Sequence, residues 1–92
     1  MAMNLSEKMR AYRLPETTTG EDIGQCHAYA VEFGNKVLFA CYHYEPDGKC
    51  YFSAVYEHVT EDKTCEGKIK LVAVSDERFE DAGHALLWGM RN

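Results

Sequence analysis

The sequence predicts an α+β fold, a four-stranded antiparallel β-meander with a short N-terminal helix and a C-terminal helix packed on one face (α-β-β-β-β-α). Three runs rich in Val, Tyr, Phe and Ala lie between His27 and Tyr56, separated by two short turn signals. A fourth alternating run follows at 67–74, and apolar residues recur at helical spacing toward both ends. We expect one domain over 1–92, divided into a helix with a polar loop at 1–25, the sheet at 26–74 and the C-terminal helix at 75–91.

The N-terminal helix is predicted from its cap. Asn4 is followed three residues later by Glu7, which is the spacing of a capping box. An apolar stripe follows at helical spacing, consisting of Leu5, Met9 and Tyr12. Pro15 ends the helix, and the polar, turn-rich stretch at 16–25 predicts a loop.

The first two strand pairings are predicted from their turns. Gly34-Asn35 suits a type II′ turn, which places Val31 opposite Leu38. Pro46 and Gly48 suit a type I turn with a G1 bulge, which places Tyr42 opposite Phe52. Since side chains alternate between faces, both hairpins put one set on the same face, which we expect to be the core. This set is Tyr29, Val31, Phe33, Leu38, Ala40, Tyr42, Phe52, Ala54 and Tyr56.

The C-terminal part supplies the fourth strand and the closing helix. We place Glu57 opposite Lys68, which brings Ile69, Leu71 and Ala73 onto the same face as the aromatic set. Ser75 is the predicted N-cap of the last helix. Its predicted apolar stripe is Phe79, Ala82, Gly83, Leu86 and Met90.

Charge and composition exclude some classes of partner. The chain has 10 Lys and Arg against 15 Asp and Glu, a net charge of −5, so we expect neither nucleic acid nor an anionic membrane as a partner. The absence of a long apolar run and of a signal-peptide pattern predicts a cytoplasmic protein. In that compartment the four cysteines are expected to be reduced thiols.

One cluster of cysteine and histidine could carry chemistry. The predicted register places Cys26 opposite His43, with Cys41 diagonal to them, and a metal- or thiol-dependent domain is therefore an alternative function. However, the sequence has no Cys-x-x-Cys pair, and nothing marks an oxyanion hole. We therefore predict no catalytic residue, no metal and no cofactor, and a protein that is not an enzyme.

The other face of the predicted sheet is nearly free of charge. Val37, Phe39 and Val55 lie on it, and either the N-terminal segment or another chain must cover it. Trp88 falls on the polar side of the last helix beside His84, which is typical of a binding hot spot. We therefore expect Val37, Phe39, Val55 and Trp88 to bind a protein partner. The predicted function is a small protein-binding module of the immunity, antitoxin or phage-inhibitor type, with a structural subunit that dimerises through this sheet face as an alternative.

Overall fold

The computed structural model describes residues 4–24 and 29–92 and has an α+β fold, with an antiparallel sheet and helices at both ends. The sheet has five strands, not the predicted four, in the order β1-β5-β4-β3-β2. The elements are α1 (Leu5–Tyr12), β1 (Thr17–Thr19), α2 (Gly20–Gly24), β2 (Tyr29–Phe33), β3 (Lys36–Tyr42), β4 (Tyr51–His58), β5 (Lys68–Val74) and α3 (Ala82–Arg91). Within these described ranges, no helix is long and apolar enough to cross a bilayer.

The N-terminal segment contains more structure than predicted. The capping prediction is confirmed, because the Asn4 side chain accepts a hydrogen bond from the Glu7 backbone N–H at 2.9 Å. The helix ends at Tyr12, where Arg13 adopts a left-handed conformation with φ of 57°. The predicted polar loop is wrong in part, since it contains β1, which pairs with β5, and the short helix α2.

The pairing of β2 with β3 follows the predicted register. Val31 faces Leu38, and Gly34 has a φ of 63°, as the first central residue of a type II′ turn requires. A two-residue loop leaves no other way to align the strands, which is why this prediction is confirmed.

The pairing of β3 with β4 differs from the prediction by one residue. Tyr42 faces Tyr51 rather than Phe52. The turn itself is present, because the Gly48 N–H donates to the Glu45 carbonyl at 3.1 Å and Gly48 has a φ of 84°. The ladder continues on both sides of this turn without the extra residue of a G1 bulge. A shift of one residue turns every side chain of β4 to the opposite face.

The pairing of β4 with β5 also differs from the prediction. Glu57 faces Lys70 rather than Lys68, and the register shifts between Val55 and Tyr56. Ala73 pairs with Val55, and Leu71 pairs with Tyr56. Because the irregularity lies between these two pairs, Ala73 and Leu71 lie on opposite faces of the sheet.

Helices cover both faces of the sheet, so the predicted arrangement with both helices on one face is wrong. One face, called here the α1 face, packs against α1, Leu14 and Ile23. Its buried sheet residues are Val37, Phe39, Cys41, Phe52, Ala54, Tyr56, Ile69, Leu71 and Val74. The opposite face, called here the α3 face, is covered by α3, which packs on β3 and β4. Its buried sheet residues are Leu38, Ala40, Ser53 and Val55.

The last helix begins later than predicted, at Ala82. The Ser75 hydroxyl donates to the Glu77 carbonyl at 2.8 Å and accepts from the Ser53 N–H at 3.0 Å, so it holds a local turn instead of capping a helix. The N-cap is Asp81. The predicted apolar stripe is also wrong, because the buried residues of α3 are Ala85 and Gly89. These small residues allow the helix to lie close to the sheet.

Candidate functional site

Three of the four predicted partner-binding residues lie in the interior. Val37 and Phe39 are buried on the α1 face, and Val55 is buried on the α3 face. Of the two covers that the sequence left open, the N-terminal segment is the one that lies over Val37 and Phe39, and the shifted register places Val55 beneath α3. The structure does not bring these residues together with Trp88. Their binding to a partner stays an untested prediction.

Trp88 is half-buried and lines a surface groove along one side of α3. The groove has two adjoining parts, of about 200 Å³ and about 250 Å³. The first is lined by Glu77, Phe79, His84, Leu87, Trp88 and Arg91. The second is lined by Lys49, Arg78, Phe79, Glu80 and His84. Because Phe79 and His84 border both parts, we treat them as one feature, the Trp88 groove.

Backbone hydrogen bonds hold Phe79 in the middle of this groove. The Tyr51 N–H donates to the Phe79 carbonyl at 3.0 Å, and the Phe79 N–H donates to the Tyr51 carbonyl at 2.7 Å. These two bonds form an antiparallel bridge beyond the end of β5. The bridge fixes the segment between β5 and α3, so the Phe79 ring is placed by the sheet and not by a mobile loop.

An ion-pair network around Arg78 fixes the far end of the groove. The guanidinium lies 3.2 Å from a carboxylate oxygen of Glu45 and 3.2 Å from one of Asp47. It also donates to the Lys49 carbonyl at 3.3 Å. The pKa of the Asp47 carboxyl group is lowered mainly by a hydrogen bond from the Lys49 N–H and to a smaller extent by the charge of Arg78. Arg78 thus joins the β3–β4 turn to the segment before α3.

The N-terminus of α3 orients the third wall of the groove. The Asp81 carboxylate accepts from the His84 backbone N–H at 2.8 Å and lies 2.8 Å from His84 Nδ1. The pKa of Asp81 is lowered mainly by the backbone hydrogen bond and to a smaller extent by the contact with the His84 ring. The cap therefore fixes both the first turn of the helix and the orientation of the His84 ring.

The Trp88 groove combines two aromatic rings with charges of both signs. Phe79 and Trp88 supply apolar surface on fixed backbone, while Lys49 and Arg91 stand near Glu77 and Glu80. Aromatic anchors with a charged rim are typical of the energetically important part of a protein interface. The groove can therefore receive an apolar side chain of another protein and pair with charges around it.

Of the cysteine and histidine cluster, the structure describes Cys41 and His43. Cys41 is fully buried on the α1 face, and burial raises the pKa of its thiol to about 12. The His43 ring is half-exposed, 3.3 Å from a Glu45 carboxylate oxygen. Cys26 lies outside the described residues. Within 4–24 and 29–92, no three His, Cys, Asp or Glu side chains come together as metal ligands.

Sequence reasoning found part of this site. It placed Trp88 on the same side of the last helix as His84, and both line the groove. It missed Arg78 and Phe79, because it placed them inside a helix that begins only at Ala82. The signal that could have corrected this was Asp81, a second N-cap candidate.

Comparison with known proteins identifies the family. Residues 14–92 match the family model described as nucleotide modification associated domain 4. No curated protein and no solved structure matches the chain. The matched range includes all five strands, Phe79 and the whole of α3, with α1 before it. The chain therefore belongs to the nucleotide modification associated domain 4 family.

Proposed function

We propose that this protein is a non-catalytic, protein-binding accessory module that works beside a nucleotide-modifying enzyme in the cytoplasm. The family description supplies the biochemical setting, and the Trp88 groove supplies the contact surface. The module would act by occupying or positioning part of its larger protein partner. The observation that carries this proposal is the pair of aromatic rings, Phe79 and Trp88, held in a groove with a charged rim.

The composition of the groove favours a protein ligand over a nucleotide. A phosphate group is held best by cations without nearby carboxylates, but the Arg78 guanidinium contacts the carboxylates of Glu45 and Asp47. The other two cations of the groove, Lys49 and Arg91, share it with acidic side chains. Glu77 and Glu80 line the same groove and would repel a phosphate. The chain also carries a net charge of −5. Mixed charges around an aromatic centre instead suit the mixed surface of another protein.

The buried thiol supports a non-catalytic role. A nucleophilic cysteine must be accessible and ionised near neutral pH. Cys41 is neither, because it is fully buried and its pKa is raised to about 12. Burial also raises the pKa of the neighbouring Tyr56, whose hydroxyl donates to the Pro15 carbonyl at 2.7 Å. These groups stabilise the interior, and a thiol-dependent function would need other residues.

Affinity purification with variants of the groove tests the proposal. Wild-type protein, Trp88→Ala and Tyr44→Ala would be purified from cells that carry the matching nucleotide-modification genes, and the retained proteins identified by mass spectrometry. We expect wild type and Tyr44→Ala to retain a nucleotide-modifying enzyme, because Tyr44 is an exposed aromatic residue that does not line the groove. Loss of a hot-spot ring costs about 2 kcal/mol or more, so Trp88→Ala should weaken binding of the purified enzyme about 30-fold.

Trp88 also reports directly on the competing possibility. It is the only tryptophan of the chain, so in the isolated protein tryptophan emission, excited where the six tyrosines absorb little, reports on this groove. Mononucleotides added to the isolated protein should leave this emission unchanged, whereas binding of the enzyme, which brings fluorescence of its own, is measured by the retention experiment with Trp88→Ala. A saturable response to mononucleotides without the enzyme would contradict the proposal and make nucleotide recognition the function of the groove. Turnover of a nucleotide by the isolated protein would contradict its non-catalytic part.

A further inference from the structure

Strand β2 forms an edge of the sheet that exposes aromatic side chains. It is last in the strand order, and among the described residues it pairs only with β3. Tyr29 is 56% exposed and Phe33 is 48% exposed. Isolated strand edges with exposed apolar side chains are templates for pairing with another strand. We propose that a second copy of this chain pairs antiparallel with β2 and joins the two sheets into one.

The hairpin geometry determines which backbone groups of β2 are free to pair. In a hairpin with the two-residue loop Gly34-Asn35, the residues that flank the loop form a hydrogen-bonded pair. Hydrogen-bonded pairs then recur at every second residue, so the N–H and C=O groups of Tyr29, Val31 and Phe33 point toward β3. The corresponding groups of Ala30 and Glu32 point away from the sheet. They are the donors and acceptors that a second strand would use.

A two-fold axis through Val31 matches these groups. Antiparallel pairing centred on Val31 places Ala30 of each copy opposite Glu32 of the other, and each such pair exchanges two backbone hydrogen bonds. Val31 then faces Val31 of the other copy in a non-hydrogen-bonded pair, where side chains approach most closely. All five residues of β2 are paired in this register.

The side chains favour the same register. Tyr29 of each copy lies opposite Phe33 of the other, so two aromatic pairs form on the α3 face. A shift by two residues toward the turn would place Glu32 directly opposite Glu32, which is unfavourable. A shift by two residues the other way would leave Phe33 outside the ladder. The self-complementary pattern of β2 is the reason to infer a second copy of this chain rather than an unrelated strand.

The flank of α3 beside β2 extends this surface. Trp88 faces the segment after β5, and Leu86 and Met90 lie on the opposite side of the helix, toward β2. Met90 is exposed and Leu86 is partly exposed. A stable interface usually buries about 1,200–2,000 Å², more than a pair of short strands supplies. Apolar side chains of α3 beside the strand provide additional area. This inference depends on β2 and the neighbouring flank of α3, and not on the function proposed for the Trp88 groove.

Opposite charges at the centre of the pairing give a specific test. We expect sedimentation velocity to show a dimer for the wild type and monomers for Val31→Lys and for Val31→Asp, with dissociation constants raised on the order of 100-fold or more. Circular dichroism should show that both variants remain folded, because Val31 is partly exposed. An equimolar mixture of the two variants should form a heterodimer, since residue 31 faces itself across the axis. A strand from a different protein, or another register, would not produce this recovery.

Proline substitutions test the backbone pairing independently. Ala30→Pro removes an N–H that points outward, and proline is tolerated at such edge positions. It should give a folded monomer. Val31→Pro removes an N–H that points to β3 and should lower the melting temperature. A monomeric wild type at about 100 µM, well above the dissociation constants of stable dimers, would overturn the inference. The inference would also be overturned if the Ala30→Pro variant were dimeric, or if the two charge variants were folded but formed no heterodimer. If the charge variants do not fold, the oligomeric state of Ala30→Pro decides.

Discussion

Alanine substitutions of Phe52 and Tyr42 test which aromatic rings form the interior. Phe52 is 2% exposed and stacks on Tyr12, with ring centroids 4.1 Å apart and an angle of 22° between the planes. Truncation of a buried Phe to Ala costs about 3–5 kcal/mol, and loss of the stacked pair places this case in the upper half of that range. Stability of about 0.05–0.15 kcal/mol per residue is usual, which is about 5–14 kcal/mol for 92 residues, so Phe52→Ala should remove at least about a third of the total.

Tyr42 provides the contrast, because it is 55% exposed on the other face. Its substitution by alanine should cost only a small fraction of the loss at Phe52, and Tyr44→Ala, at an exposed position, serves as the control. Urea unfolding followed by circular dichroism measures the three free energies of unfolding, with Trp88 fluorescence as a second probe. Similar large losses at Phe52 and Tyr42 would place both rings on one face and refute the register described here.

Three further predictions concern a loop, the thiols and a helix cap. Gly67→Ala should destabilise the protein, because the added Cβ would lie 2.8 Å from the carbonyl carbon of Asp62 in the same loop. Gly83→Ala, in the open first turn of α3, should instead raise the melting temperature slightly. An alkylating reagent at pH 8, followed by mass spectrometry, should modify exposed Cys65 quickly and buried Cys41 only on unfolding, and equal rates would contradict the burial of Cys41. Since the pKa of Asp81 is lowered below 3.8, its stabilisation is complete above that value and is lost as the pH falls through the lowered pKa. Asp81→Asn, which caps without titrating, should therefore reduce the loss of melting temperature below about pH 4, and an unchanged acid profile would contradict this role.

The central hairpins show how far turn chemistry determines a register. The two-residue loop Gly34-Asn35 allows one alignment, and the β2–β3 pairing could be predicted residue by residue. The turn Glu45–Gly48 allows a ladder with or without a bulge. Gly48 has a positive φ in this structure without an extra residue in the ladder, so its identity could not distinguish the two. Because of this ambiguity, the predicted register placed the side chains of β4 on the wrong faces of the sheet.

The missed elements have weak local signals. The three threonines of β1 show no apolar alternation, and β1 forms only because β5 offers its edge. Ser75 and Asp81 are both good N-caps, and contacts of Ser75 with distant Ser53 decide between them. The Trp88 groove was therefore predictable on its α3 side, where helical spacing applies. Its other side depends on the bridge between Phe79 and Tyr51, which no local pattern indicates.

The strand order has a consequence for how the chain folds. β2, β3 and β4 are joined to neighbours in sequence, so the central hairpins close short loops at a small cost in chain entropy. The pairing of β1 with β5 joins two strands that are far apart in the sequence, so it contributes strongly to the contact order of the fold. We therefore expect the central meander to form the folding nucleus and the N-terminal segment to dock late. Until it docks, the aromatic side chains of the α1 face are open to water, and a slow docking step would make the partly folded chain prone to aggregation.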